Sequence, residues 1–543
     1  MRIEIETDCA LTSSDGVVLR SDVYRPAGAS ELPTLVQRTP YDKSQAVRSD
    51  VDVLRLVRAG YAVVVQDVRG RGGSEGTFEP FRHEAADGAE TIAWAAAQPW
   101  SSGAVGMFGA SYVGIVQWLA ASAAPPALRA IAPFLTSPDP YDGWAYQGGA
   151  FELGFALQWH AASLATEPLA DDPRDDFEAS ARLRPIAGHP GLAPFHADWL
   201  AHPQRDAWWE RLAPRERIAA VTVPALSIGG WHDLFLRGTL AGHAAAAAHR
   251  NGSRLLVGPW SHAVTGGAFP QRDHGRHGGL DAVDLTDLHL RWFDRHVRGS
   301  TDDAPEPPVR LFVMGAGRWR DADAWPLPET TWTSWHLGAD GTLSAEPREP
   351  DGADAYRYDP DDPVPTCGGA TFLPGQEVGA RTGPLDQRAV ERRADVLVYS
   401  TPPLEREVEV IGPVELVLHV SSSAPDADFT GKLVDVHPDG FAELLADGIQ
   451  RARWRAGAAE PAPLIPGEVH ELRIDLGATA NRFRAGHRIR LEVSSSNFPR
   501  FDRNTNTGGD VATEHDADAV VAVNTIHRGP THPSRLVLPV VPG

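Results

Sequence analysis

Three side chains in this sequence could together cleave an acyl bond: Ser111, Asp233 and His262. A serine hydroxyl is a weak nucleophile until a base removes its proton. An imidazole can take that proton and pass it to a leaving group, and a carboxylate can orient the imidazole and stabilise its cation. Ser111 lies in Val105-Gly106-Met107-Phe108-Gly109-Ala110-Ser111-Tyr112-Val113-Gly114, followed by Ile115-Val116-Gln117-Trp118-Leu119-Ala120. An apolar run, a glycine-flanked serine and a second apolar run predict a strand, a tight corner and a helix, with the serine oxygen raised over the sheet edge. Here the second glycine follows the serine by three residues, so the run is Gly-x-Ser-x-x-Gly, one residue off the usual elbow. Gly72-Gly73-Ser74-Glu75-Gly76 matches the usual pattern to the letter. Its context rejects it, because a Gly- and Arg-rich loop precedes Ser74 and Pro80 interrupts any apolar helix after it.

The elements that must hold these residues read as strands alternating with helices. Pro33-Thr34-Leu35-Val36-Gln37, Tyr61-Ala62-Val63-Val64-Val65-Gln66-Asp67 and Leu128-Arg129-Ala130-Ile131-Ala132-Pro133 are strand-like, as are Val223-Pro224-Ala225-Leu226-Ser227-Ile228-Gly229-Gly230 and Arg254-Leu255-Leu256-Val257-Gly258. Helical patterns fall over 82–98, 237–249 and 284–298. This alternation predicts a parallel, doubly wound sheet. Asp233 and His262 each follow a predicted strand by a few residues, so both reach the carboxyl edge of the sheet where Ser111 stands. The chain order Ser, Asp, His is that of α/β-hydrolases. Asp67 also ends a strand, but it precedes the serine and breaks the order. His232 adjoins Asp233 too closely to be its partner, and His274 and His277 lack the cysteines or helical spacing of a metal site. A tetrahedral intermediate needs donors aimed at its oxyanion. Tyr112 N–H, just after the nucleophile, is one. The second should come from the loop Arg38-Thr39-Pro40-Tyr41-Asp42-Lys43, where Pro40 has no N–H. Tyr41 could donate through its hydroxyl, or could simply pack as a loop aromatic.

Tryptophans and alanines recur without strand-like runs over residues 141–213, which predicts a helical cap inserted into the catalytic domain of residues 1–140 and 214–325. Beyond residue 325 short alternating strands are spaced by Gly, Pro and Asp, predicting an all-β jelly roll over 326–543. The chain has 543 residues and a formal net charge of −22, which argues against a nucleic-acid surface. Cys9 and Cys367 fit no metal or redox spacing, and nothing suggests a disulfide. The first six residues lack the apolar core of a signal peptide, and no apolar run approaches the roughly 20 residues of a membrane span. The expectation is a cytoplasmic protein without metal or cofactor, acting on a small-molecule ester, with a homodimer possible.

The segments RTPYDK (38–43), GYAVVVQDVRGRGGSEG (60–76), VGMFGASYVG (105–114), GGWHD (229–233), LLVGPWSH (255–262), VRLFVMG (309–315) and SSSNFPRFDRNTNTGG (494–509) resemble the cocaine esterase family of serine hydrolases. That family is related to X-prolyl dipeptidyl peptidases and α-amino acid ester hydrolases, and Gly-x-Ser-Tyr-x-Gly is its own elbow. The resemblance implies Ser111, Asp233 and His262 as triad, and Tyr41 hydroxyl with Tyr112 N–H as oxyanion hole. It implies an α/β-hydrolase domain, a helical cap and a jelly roll. It also implies an aromatic acyl pocket at Trp144, Trp159, Phe235 and Leu404, where aromatic side chains could equally be ordinary core. Two departures bear on the substrate: the cap is shorter than the family esterase's, and His232 and Leu234 flank Asp233. The expected activity is hydrolysis of esters with aromatic or bulky apolar acyl groups. The alternative is an X-Pro dipeptidyl-peptidase or α-amino acid ester hydrolase, which must hold a substrate ammonium. Leu234-Phe235-Leu236-Arg237 offers that ammonium no carboxylate, although Asp142 or Glu152 could.

Overall fold

The protein is described here from a computed structural model covering residues 1–48, 50–165, 167–301, 306–346, 350–374, 381–457 and 460–542. A 10-stranded sheet carries the strand–helix alternation. Its strands are β1 (Ile3–Thr12), β2 (Val18–Pro26), β3 (Leu32–Thr39), β4 (Ala62–Asp67), β5 (Ser101–Ala110), β6 (Leu128–Phe134), β7 (Leu226–Gly230), β8 (Arg254–Gly258), β9 (Val309–Val313) and β10 (Arg318–Ala322). Their order is β1-β2-β4-β3-β5-β6-β7-β8-β9-β10, with the seven strands from β3 to β9 mutually parallel. The parallel strands are buried on both faces, as the unbroken apolar run of β4 requires. Between them run α1 (Glu84–Ala96), α2 (Tyr112–Ser122), α4 (Leu236–Ala247) and α5 (Leu285–Phe293). The chain order reverses between β3 and β5, and that switch point opens the crevice in which loops from both strands meet.

Between Phe134 and Leu226 the chain leaves this sheet for a largely helical insertion. Its first helix, α3 (Leu153–Trp159), runs into a wider π-type turn over His160–Leu164, and four short α-helices and one 3-10 turn follow among the described residues. A two-stranded ribbon, Tyr146–Gln147 with Ala150–Phe151, also lies here, which the sequence reading did not anticipate. Two residues per strand are too few for an alternation to register. The β-rich part starts at Thr331–Gly338 and forms an 11-stranded, mainly antiparallel sheet. Its core is continuous with the first unit: Trp231 and Leu236 pack in one apolar cluster with Leu416, Leu476 and Ala478. Cys9 and Cys367 are free. Among the described residues no helix is long and apolar enough to cross a membrane.

Candidate active site

Ser111 occupies the corner between β5 and α2 with φ 59° and ψ −126°. A positive φ on a non-glycine residue costs about 1–3 kcal/mol and persists only where its surroundings impose it. The imposing contacts are explicit. Ser111 N–H donates to Phe134 carbonyl at 2.9 Å, and Thr136 Oγ1 donates to Ser111 carbonyl at 2.8 Å. The flanking glycines follow from the same crowding. A Cβ on Gly109 would meet Val113 Cγ1 at 2.3 Å, and one on Gly114 would meet Thr136 Cγ2 at 2.6 Å. The second glycine therefore stands at 114, where helix α2 crosses Thr136.

Asp233 and His262 lie on the loops after β7 and β8, as their spacing predicts. Ser111 Oγ is 3.1 Å from His262 Nε2, and His262 Nδ1 is 2.9 Å from Asp233 Oδ1. Asp233 is buried, and its Oδ2 accepts the N–H of Phe235 at 3.2 Å. The imidazole is held edge-on between two phenyl rings, Phe235 at 5.1 Å and Phe372 at 5.2 Å.

Tyr41 comes to the same corner from the loop after β3. Its hydroxyl accepts a hydrogen bond from Trp159 Nε1 at 2.9 Å, and burial pushes the phenol up to about 12 against the opposing pull of that bond. Asp67 shapes this loop: its Oδ1 accepts Lys43 N–H at 2.7 Å and its Oδ2 accepts Gly73 N–H at 2.9 Å. The serine of the misleading motif completes the clasp, with Ser74 Oγ donating to Asp67 carbonyl at 2.7 Å. Both rejected candidates, Asp67 and Ser74, thus support the Tyr41 loop. Tyr112 opens helix α2, where an N–H lacks an intrahelical acceptor. Its side chain is turned away, its hydroxyl donating to Glu84 Oε1 at 2.9 Å.

With that geometry in view, the comparison with known proteins is decisive. The cocaine esterase of Rhodococcus sp. (strain MB1 Bresler) is 42% identical over 560 residues, spanning 97% of this chain and 97% of that one. This chain belongs to the cocaine esterase family of serine hydrolases. Residues 15–264 match the family model described as X-Pro dipeptidyl-peptidase (S15 family), and residues 303–537 match the X-Pro dipeptidyl-peptidase C-terminal non-catalytic domain. The fold extends to solved members of the wider group. An aminopeptidase from a marine sediment Thaumarchaeota archaeon superposes with TM-score 0.87 at 27% identity over 99% of this chain and 97% of its own. An α-amino acid ester hydrolase does so with TM-score 0.86 at 27% identity over 99% and 96%. The chain is therefore a hydrolase with an α/β-hydrolase fold and a separate C-terminal β-rich domain.

The pocket residues expected from the cocaine esterase family divide in two. Trp144, Trp159 and Phe235 come together: the Trp144 and Phe235 rings lie 4.2 Å apart and the Trp144 and Trp159 rings 5.6 Å apart. Leu404 does not join them. It is half-buried against the apolar cluster that fills the β-domain, and its N–H donates to His487 carbonyl at 2.8 Å. The β-domain residue beside His262 is instead Phe372. The sequence reading also missed Phe155, which stacks on Trp159 at 5.6 Å and an angle of 11°. Its signal was available, since residues four apart share a helix face. Phe372 lies outside any regular element and offered none. A cavity of about 270 Å³ opens beside Ser111 and Tyr41, lined further by Gln37, Asp42, Gly109 and Phe134.

Burial pulls His232 down to about 4 and His274 down to about 3. Asp435, His437 and His487, in the β-domain, bring potential metal-ligand atoms within 4.8 Å of one another. Each imidazole there already faces a carboxylate: His487 Nδ1 lies 2.8 Å from Asp435 Oδ1, and His437 Nε2 2.8 Å from Glu443 Oε2. Glu152 precedes α3, and burial pushes it up to about 7 against the opposing charge of Arg500.

Proposed function

We propose that this chain is a serine carboxylesterase in which Ser111 is the nucleophile, His262 the general base and acid, and Asp233 the group that orients His262. The hydrogen-bond line Ser111–His262–Asp233, at 3.1 Å and 2.9 Å, carries the reading. Ser111 Oγ adds to the ester carbonyl while His262 Nε2 takes its proton, and Asp233 stabilises the imidazolium. The oxyanion accepts hydrogen bonds from Tyr112 N–H and Tyr41 O–H. Collapse of the intermediate sends the proton from His262 to the departing alcohol and leaves an acyl-Ser111. Water, activated by His262, then releases the acid.

The acyl preference follows from the surroundings of the imidazole. Trp144, Trp159, Phe155, Phe235 and Phe372 form an apolar, aromatic wall, suited to a benzoyl-like or bulky apolar acyl group. Residues 141–213 act as a helical cap over a catalytic domain of residues 1–140 and 214–325, and residues 326–543 form a jelly roll whose Phe372 completes the wall. The serine esterase reading stands above the aminopeptidase reading because the candidate ammonium-binding carboxylates are occupied. Asp142 lies 3.7 Å from Arg237, and Glu152 3.7 Å from Arg500.

A fluorophosphonate probe with peptide mapping, run beside p-nitrophenyl benzoate and Gly-Pro anilide turnover, tests the assignment. Label on Ser111, lost in Ser111→Ala, with rapid ester and negligible anilide cleavage is the expected result. Strong anilide turnover would move the chain to the peptidase branch, and label elsewhere would remove Ser111 as nucleophile.

A further inference from the structure

Trp159 does more than present a ring. Its face is locked by Phe155 at 5.6 Å, by Tyr112 at 6.1 Å and by Trp199 at 6.3 Å, so the direction of its indole N–H is set by packing. That N–H donates to the Tyr41 hydroxyl oxygen at 2.9 Å. A phenol oxygen offers one hydrogen and two acceptor positions. With the indole occupying an acceptor position, the Tyr41 hydrogen is left to donate, and Tyr41 lines the same cavity as Ser111.

The two ends of this contact are themselves tied together. Arg71 donates from Nε to the carbonyl of Pro40, the residue before Tyr41, at 2.8 Å. It also donates from Nη1 to the carbonyl of Leu164, at the end of the turn that follows Trp159, at 2.8 Å. Its guanidinium lies over the Phe78 ring at 5.4 Å. The bridge therefore spans the Tyr41 loop and the inserted helix that carries Trp159. The Arg71 charge also favours negative charge at the Tyr41 oxygen, the same sign that develops on the carbonyl in the transition state.

We propose that Trp159 and Arg71 are positioning residues for the oxyanion hole: the indole N–H and the guanidinium bridge hold the Tyr41 hydroxyl so that its hydrogen points at the forming oxyanion. This rests on the esterase reading with Tyr41 as donor. A donor aimed before reaction costs no reorganisation during it, so the clamp acts on turnover rather than on binding.

Trp159→Phe separates this role from that of an acyl-pocket wall, because it keeps an aromatic ring and removes the N–H. The measurement is kcat and KM for p-nitrophenyl benzoate in four proteins: wild type, Trp159→Phe, Tyr41→Phe and the double variant. Active sites are counted by fluorophosphonate burst and folding is checked by thermal melt. The expected result is a fall in kcat of about 10- to 50-fold for Trp159→Phe with KM within about threefold, and less than a twofold further loss when it is added to Tyr41→Phe. Arg71→Met should lower kcat by about three- to tenfold with KM unchanged. Equal losses from Trp159→Phe in both backgrounds, or a change in KM alone, would overturn the proposal and return Trp159 to the pocket wall. A Tyr41→Phe loss below threefold would overturn it differently, by removing Tyr41 as a donor while Ser111 labelling still upholds the esterase.

Discussion

At the scale of single residues, the site depends on where hydrogens point. His262 Nδ1 faces Asp233, which leaves Nε2 as the acceptor for Ser111, so the tautomer is dictated by a buried carboxylate. Asp233→Asn would keep the volume but favour the wrong tautomer, and kcat for an activated ester is expected to fall about 10⁴-fold. Steady-state turnover with a burst-titrated active-site count checks this. Tyr41→Phe deletes the proposed oxyanion donor and should cost about 10²–10³-fold in kcat with little change in KM. Because burial holds the Tyr41 phenol up to about 12, the hydroxyl keeps its proton through the neutral and mildly alkaline range. A phenolate cannot donate, so an alkaline limb from this group belongs near its raised pKa. A plateau in kcat extending to pH 10 is the expected profile, and a decline that disappears in Tyr41→Phe below that pH would contradict it.

At the scale of elements, the elbow shows how a one-residue departure from a motif can be a packing requirement. Gly114 is the point where helix α2 passes Thr136, and Thr136 in turn holds the Ser111 carbonyl. Gly114→Ala should push the helix off Thr136, lowering both the melting temperature and kcat, at a cost of about 1–3 kcal/mol in stability. Gly114→Ala with Thr136→Ser removes the methyl that clashes and keeps the hydroxyl that holds Ser111. Partial recovery of both quantities in that pair is the check. The segment from Asp67 to Ser74 gives a parallel lesson. It runs into the misleading Gly-x-Ser-x-Gly match, yet through Asp67, Ser74 and Arg71 it fixes the loop that carries Tyr41.

At the scale of the whole molecule, the β-domain reaches His262. Phe372 packs against His262, and the residues around Arg500 clasp the insertion, with Arg500 carbonyl accepting Gly154 N–H at 3.1 Å and Asp502 Oδ1 accepting Phe151 N–H at 2.8 Å. Phe372→Ala should raise KM for a benzoyl ester more than for an acetyl ester, since only the larger acyl group reaches that wall; parallel kinetics on the two esters test it. Glu152 sits at this joint beside Arg500, Asp447 and Arg237. Its folded pKa of about 7 lies above its ordinary value of 4.5, so the folded state binds the extra proton. The corresponding stabilisation is complete below the ordinary value and is lost as pH rises through about 7. Thermal melts should show wild type losing stability between pH 5 and pH 8 relative to Glu152→Gln, and parallel curves would exclude this source.

Much of the catalytic plan was legible in the chain itself, because local rules govern it. β-Branched runs specify buried parallel strands, a serine between close glycines specifies a strand-to-helix corner, and residues just beyond strand ends collect at one sheet edge. Those rules single out Ser111, Asp233 and His262, which the fold brings within hydrogen-bond reach of one another. The residues that only the tertiary structure assigned are those whose neighbours are remote in sequence. Phe372 reaches His262 from a loop with no pattern of its own, Leu404 packs against the β-domain cluster instead, and Arg71 bonds Leu164, 93 residues away in the chain. Contacts of that kind are set by how the domains pack, and packing is a property of the assembled surface that no local spacing encodes.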